Sequence, residues 1–545
     1  MWHRGWRDSI WSAMDQPWDM VIIGGGITGA GLLREAAQAG LRVLLLEARD
    51  FAFGTSSRSS KLVHGGFRYL RNGQISVTRE SVREREWMLH EAPHLVTPLK
   101  FLLPSYASAG TPKWQLGLGV FLYDVLAPKW AHRGYSVQQL MRLCPLMNPT
   151  DLQGGYEYFD SEVDDARLVL RVIREAVQTG GVALNYAPVE RLLRTADGQV
   201  CGVVVRDADD FAGRTLEIEA KVVINAAGPW SDEVRSQVGA APRLRKLRGS
   251  HLVFDAERLP LKQAVTLLHP ADNRAMFAFP WEGTTVIGTT DLDHPADLDQ
   301  DDPFATPEEI DYMLAAARFS FPAADLTPAD VLSTYSGLRP VINTGKASPS
   351  QESRAHVVWQ EDGLITLTGG KLTIFRIMAK QALQLASSRL PGSPDFTLPR
   401  RIFNPLPRSL PAPLPVDINQ LSYLLGRYGA ETPALLSSMP AGEFTCIHAL
   451  PSVWAELRWA AREEGVVHLD DLLLRRVRLG ILLPNGGAEE YDHIRALAQD
   501  ELGWDDDRWE SEWNAYLDLW QRRYSPTPGE SSISLNVSHA SALSA

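Results

Sequence analysis

Apolar and polar positions along this chain fall into a few distinct patterns. Residues 19–23 (Asp-Met-Val-Ile-Ile) make a short, nearly unbroken apolar run, as in a strand buried on both faces. Residues 30–39 carry small and apolar side chains at helical spacing and stop at Gly40. Residues 41–46 (Leu-Arg-Val-Leu-Leu-Leu) predict a second strand, closed by Glu47. Two distant runs repeat the buried-strand pattern: 221–231, which ends in a glycine turn, and 364–373, which leads into a helix. They are expected to return to the same sheet. Alternation over 283–290 predicts strands of another kind. From 451 to about 521 the pattern is helical, with Leu472, Leu473, Leu474, Val477, Leu479 and Leu482 among arginines. The reading is an α/β chain with a β-rich insert and a helical C-terminal part.

The turn between the first strand and helix reads Gly24-Gly-Gly26-Ile-Thr-Gly29. In a β-α-β unit these glycines have separate tasks: a tight turn at Gly24, close approach of a pyrophosphate at Gly26, close strand–helix packing at Gly29. The helix start offers unpaired N–H groups and a positive dipole end to phosphates. Glu47 can accept hydrogen bonds from ribose hydroxyls. An adenine dinucleotide site follows.

Composition narrows the classes. The chain has 545 residues, 45% hydrophobic and 22% charged, which fits a globular protein of several domains. Net charge is −12, so nucleic acid is a poor partner. Cys144, Cys201 and Cys446 lack zinc or disulfide spacing. No apolar run reaches transmembrane length, and no signal core opens the chain, so a cytoplasmic protein, peripheral at most on a membrane, is expected. Trp2, Trp6, Trp11 and Trp18 crowd the N-terminus. Trp2 and Trp6 would share a helix face, either packed on the body or at a membrane. Residues 391–415 hold eight prolines and read as a linker; the last 20 residues read as disordered.

Residues 53–70 are dense in glycine and hydroxyl side chains, able to bind phosphate or flavin oxygens. Their core, Thr55-Ser-Ser-Arg-Ser-Ser-Lys-Leu-Val-His-Gly-Gly-Phe-Arg-Tyr-Leu70, is one of seven motifs in a single order. The others are Gly24 to Glu47, Asn225-Ala-Ala-Gly-Pro-Trp230, Gly249-Ser-His251, Gly288-Thr-Thr-Asp291, Tyr335-Ser-Gly-Leu-Arg339-Pro and Gly369-Gly-Lys371-Leu-Thr. Together they resemble the FAD-dependent, respiratory (aerobic-type) glycerol-3-phosphate dehydrogenases over roughly residues 18–385. Residues 470–476 resemble that family's C-terminal domain more loosely.

The resemblance implies a Rossmann-like FAD-binding domain of the glutathione-reductase-like or D-amino-acid-oxidase-like kind, drawn from 18–75, 150–245 and 330–390. It implies a β-rich substrate domain (76–149 and 246–329) and a helical C-terminal domain (416–525), flanked by the extension 1–17, the linker 391–415 and the tail 526–545. It implies oxidation of sn-glycerol 3-phosphate to dihydroxyacetone phosphate, with electrons passed to a membrane quinone. Membrane contact would use the N-terminus or the apolar stretch 114–126; a homodimer stays open.

The substrate residues carried over are Arg68, Tyr69, His251, Arg339, Arg354 and Lys371. A phosphate dianion needs such Arg and Lys donors. His251, Arg339, Lys371 and Arg68 would act in catalysis, with His251 as base or substrate hydrogen-bond partner. The FAD residues would be Gly24, Gly26, Gly29, Glu47, Thr55, Ser56, Ser59, Ser60, Lys61, Leu62, His64, Ala227, Gly228, Gly370, Lys371, Leu372 and Thr373. No metal site is expected. The alternative is an FAD oxidase or dehydrogenase of the same fold acting on a hydroxy acid or amino acid, with Arg339 on a carboxylate. A flavin-binding protein without turnover would not need the basic cluster.

Overall fold

The structure, a computed structural model, describes residues 2–66, 75–110, 112–126, 132–210, 212–295, 302–346, 352 and 355–527. The strand Trp18–Ile23 sits in the middle of the first sheet. It pairs in parallel with Val43–Leu46 on one side and Thr215–Asn225 on the other. Val182–Leu184 extends one edge; Leu364–Gly369 and then His356–Glu361 extend the other. Residues 221–225 and 364–369 thus return to this sheet.

Side chains alternate across it. Met20 and Ile22 face a core shared with the helices Ile27–Gln38, Asp165–Gln178 and Phe375–Ala386. Val21 and Ile23 face the opposite core, with Trp11, Trp18, Leu192 and Val203. Thr215–Asn225 changes character along its length. Its first half alternates and pairs antiparallel with Val200–Arg206; from Val222 it is buried without interruption in the central sheet.

The second sheet is antiparallel for the most part and has ten strands among the described residues. Its backbone is Leu244–Asp255, paired with Thr284–Gly288 and Val331–Ile342, and Val96–Tyr106, paired with Leu152–Val163. This corrects the expected division. Leu62–Val63, Leu152–Val163 and Val331–Ile342 fall in segments expected in the dinucleotide unit but pair in the second sheet. Apolar alternation marks a strand without naming its partner.

The C-terminal helices Trp454–Glu463, Tyr491–Leu502 and Asp506–Arg523 share one core with residues of this sheet, including Phe101, Val253 and Tyr335. The proline-rich stretch is not a free tether. Phe396, Ile402 and Phe403 are buried in the first core, and Arg34 donates to the Ile402 carbonyl and to Asn404 Oδ1, both at 2.8 Å. Prolines preclude a helix but do not preclude burial.

The N-terminal tryptophans pack inward. Gly5 (φ 80°) sets off the helix Trp6–Ala13, so Trp2 is not on it. Trp2 instead stacks on Phe51 at 5.2 Å and meets Trp6 at 5.6 Å. Trp2, Trp11 and Trp18 are buried. By contrast the helix Lys113–Leu126 leaves Trp114 (66%), Leu118, Phe121, Leu122 and Val125 (53%) exposed. No described helix is long and apolar enough to cross a membrane. Of the tail expected to be disordered, 528–545 lie outside the described residues.

Candidate active site

A cavity of about 550 Å³ is walled by both sheets. The first sheet supplies the turn after Trp18–Ile23. Gly24 has φ +110°, and a Cβ there would come within 2.6 Å of the Ala226 carbonyl oxygen. A Cβ on Gly29 would lie 1.9 Å from the Gly24 carbonyl oxygen, so this glycine serves strand–helix packing and does not line the cavity. Gly26 caps the helix, whose Ile27 N–H donates to Ser56 Oγ at 3.0 Å. Glu47 accepts from the Gly25 N–H (2.5 Å) and the Arg49 N–H (2.9 Å). Burial pushes its carboxyl up, against those two N–H groups.

Most of the expected FAD residues meet at this cavity: Gly24, Gly26, Glu47, Thr55, Ser56, Ser59, Ser60, Leu62, His64, Ala227, Gly228, Gly370, Lys371, Leu372 and Thr373 all line it. Thr55 donates to the Leu338 carbonyl, which ties the loop to the second sheet. Gly228, Gly369 and Gly370 have positive φ, which lets the backbone close in without side chains. A glycine-lined wall ending at a helix N-terminus suits a dinucleotide, so FAD fits this cavity.

Lys61 departs from expectation. Its ammonium lies behind the wall, 2.9 Å from Asp165 Oδ1 and 2.5 Å from the Ser57 carbonyl, and its side chain is fully buried. Burial and then Arg478 lower it to about 8, against the attraction of Asp165. A lysine in a polar loop reads as facing the ligand; only the fold brings Asp165 beneath it.

The second sheet supplies His251, Arg339 and Gly249. His251 stacks on Tyr335 (4.5 Å, 11° between planes), and its Nε2 is 2.8 Å from Ser60 Oγ. Burial, then the charges of Lys61 and Arg339, hold this imidazole well below its usual titration range. Arg339 Nη1 meets Asp291 Oδ1 at 2.7 Å, and Arg274 is 3.8 Å from the other carboxylate oxygen. Lys371 reaches the cavity from the turn after Leu364–Gly369. Arg68, Tyr69 and Arg354 lie outside the described residues.

Some lining residues escaped sequence reasoning, among them Arg49, Phe53, Arg58 and Trp230. Asp291 escaped too. Its motif was visible, but its pairing with an arginine 48 positions on was not. Arg58 sat inside the polar motif; its pairing with Asp302 and its place over Phe53 (4.8 Å) had no local signal.

Two family models match the chain: FAD dependent oxidoreductase over residues 19–382, and the C-terminal domain of alpha-glycerophosphate oxidase over 367–509. The aerobic glycerol-3-phosphate dehydrogenase of Staphylococcus epidermidis is 41% identical over 382 residues, covering 69% of this chain and 68% of that protein. Its Staphylococcus aureus counterpart is 41% identical over 379 residues, covering 68% and 67%. The structure of the glycerol-3-phosphate dehydrogenase of Bacillus halodurans complexed with FAD is similar at a TM-score of 0.73 and 30% identity, over 97% of this chain and 99% of that one. The chain belongs to the aerobic glycerol-3-phosphate dehydrogenase family of FAD-dependent oxidoreductases, and FAD is its cofactor.

Proposed function

We propose that this protein oxidises sn-glycerol 3-phosphate to dihydroxyacetone phosphate and passes the electrons to a membrane quinone. One observation carries the reading: Arg339, Lys371 and the neutral-leaning His251 line the same cavity as the glycine-rich wall. Arg339 and Lys371 give a phosphate dianion two cationic donors. A neutral imidazole at His251, which burial favours, can accept the substrate hydroxyl proton. Ser60, at His251 Nε2, orients the ring. FAD held on the glycine-rich wall from Gly24 to Gly26 and at Gly370 would supply the two-electron acceptor for the carbinol hydride, at flavin N5. The family resemblance adds Arg68, Tyr69 and Arg354 to the substrate site.

For the quinone step the protein would lie on the cytoplasmic face of a membrane. With Trp2, Trp11 and Trp18 buried, the exposed apolar helix Lys113–Leu126 is the surface that supports this contact.

The test is an anaerobic visible spectrum of the purified protein before and after sn-glycerol 3-phosphate. Bleaching of the flavin band by this compound, but not by glycerol or lactate, is expected. A flavin that stays oxidised overturns the substrate assignment and moves a carboxylate substrate to first place. Reduction of a soluble quinone analogue in preference to peroxide formation tests the acceptor.

A further inference from the structure

The C-terminal region reaches the back of the cavity wall through Arg478. This residue starts the helix Leu479–Leu482 and holds φ +68°, a left-handed conformation that side chains with a Cβ rarely adopt. Its guanidinium is buried and fully engaged. Nε donates to Asp164 (3.1 Å), Nη1 to the carbonyls of Leu474 (2.8 Å) and Ser57 (3.2 Å), and Nη2 to Asp165. Arg478 is not among the residues that line the cavity.

Asp165 passes the contact forward. Its Oδ2 accepts from the Ser59 N–H (2.9 Å) and the Ser59 hydroxyl (2.7 Å), and Lys61 Nζ binds both its oxygens. The segment from Ser57 to Lys61 is therefore gripped from behind at Ser57, Ser59 and Lys61. Its other side belongs to the cavity, where Ser59 and Ser60 line the wall and Ser60 Oγ stands 2.8 Å from His251 Nε2. Arg427 gives Asp164 a second cation, and Lys61 gives one to Asp165, so removing Arg478 leaves neither carboxylate without a partner. What is lost is one of the two donors on the Ser57 carbonyl, the other being Lys61 Nζ, and one of the bonds that direct the Asp165 carboxylate.

We propose that Arg478 is a positioning residue: acting through Asp165, it holds the Ser57–Lys61 segment so that Ser60 fixes His251 for the reaction. The proposal rests on the substrate reading above only for its kinetic consequence. A misplacement of about an ångström at a reacting group lowers the chemical step by about a hundredfold, without touching the phosphate donors on other elements. The expected signature is a fall in kcat with KM nearly unchanged.

The experiment uses the full-length, FAD-loaded protein as wild type, Arg478→Lys, Arg478→Gln and Asp165→Asn. Flavin content, kcat and KM for sn-glycerol 3-phosphate, and hydrogen exchange of the peptide spanning 55–63 are measured on each. Arg478→Gln is expected to keep its flavin, lose about ten- to hundredfold in kcat, and exchange faster at 57–61. Arg478→Lys keeps the charge but not the fork, and is expected to recover part of the loss. If Arg478→Gln does not fold, Arg478→Lys carries the test, with a smaller fall in kcat and the same faster exchange. Unchanged exchange at 57–61, or activity lost only in proportion to flavin, overturns the proposal. A wild-type flavin that sn-glycerol 3-phosphate fails to bleach sinks the substrate reading instead; exchange at 57–61 still decides this one.

Discussion

Arg339 and Arg476 each face a buried aspartate, yet the two sites are built to different ends. Arg476 is fully sealed from solvent, and every guanidinium nitrogen is committed: Nη1 and Nη2 grip Asp50 at 2.6 and 2.8 Å, and Nε donates to the Glu464 carbonyl at 3.0 Å. Arg475 adds a bond of 2.5 Å to the same carboxylate. This knot fastens the C-terminal region to the loop after the second strand of the first sheet. Arg339 meets Asp291 at 2.7 Å, keeps 26% of its side chain exposed, and borders the cavity. A saturated, dry cation can only hold the fold. A cation beside open space can trade part of its partnership for an incoming anion.

The largest effect separating the two is expected at Arg476. Arg476→Ala leaves Asp50 with one partner fewer in a dry site and should cost about 3–5 kcal/mol of stability, seen as a lower urea midpoint. Arg339→Ala, which leaves Asp291 with Arg274 at 3.8 Å, should lower that midpoint less, while kcat/KM for sn-glycerol 3-phosphate drops by about a hundred- to a thousandfold, or about 3–4 kcal/mol. If Arg339→Ala unfolds the protein and Arg476→Ala spares stability, the distinction between the two sites is wrong.

Acid sharpens the same contrast. Burial alone would raise the Asp50 carboxyl, but Arg476 and then Arg475 outweigh it and hold it at about 2, below its ordinary 3.8. A depressed carboxyl contributes stability that is complete above its unfolded value and is lost as pH falls through the folded one. The window is thus from about pH 4 down to about pH 2, and the contribution is about 2 kcal/mol. Asp164 is lowered by Arg478 and Arg427 in spite of its burial, and its contribution is lost from about pH 4 downward, further into acid than that of Asp50. Urea midpoints should fall steeply over this range. Asp50→Asn should start lower at neutral pH, and the gap to wild type should narrow as acid is added.

How much of this was legible depended on distance along the chain. The turn from Gly24 to Gly29 could be read because its steric partners are a few residues apart: the Gly29 Cβ position abuts the Gly24 carbonyl. His251, Arg339 and Lys371 could be read as site residues because each stands in a short motif with glycine neighbours, and those motifs keep family order. The knot at Asp50 could not, since Arg476 lies 426 positions away and an Asp or Arg alone does not name its partner. Lys61 misled for the same reason, its carboxylate being 104 positions on. Proline content at 391–415 spoke only of backbone, while Phe396 and Phe403 decided the burial.

The smallest expected effect tests whether burial, rather than the number of ion pairs, makes the difference. Arg191, on the strand Val189–Arg194, and Glu217, on Thr215–Asn225, pair at 3.1 Å across the strand Val200–Arg206 between them, with both side chains more than half exposed. Water already solvates each charge, so the pair gains little Coulomb energy and loses side-chain entropy. Glu217→Gln keeps the shape of the side chain and removes its charge. Its urea midpoint should correspond to a change within about 0.5 kcal/mol, and that small change should shrink further in high salt. Turnover should match wild type, because the pair touches neither the cavity nor the C-terminal knot. A loss comparable to that of Arg476→Ala would mean that ion pairing stabilises this chain irrespective of solvent, and the contrast between its sealed and open arginines would lose its physical basis.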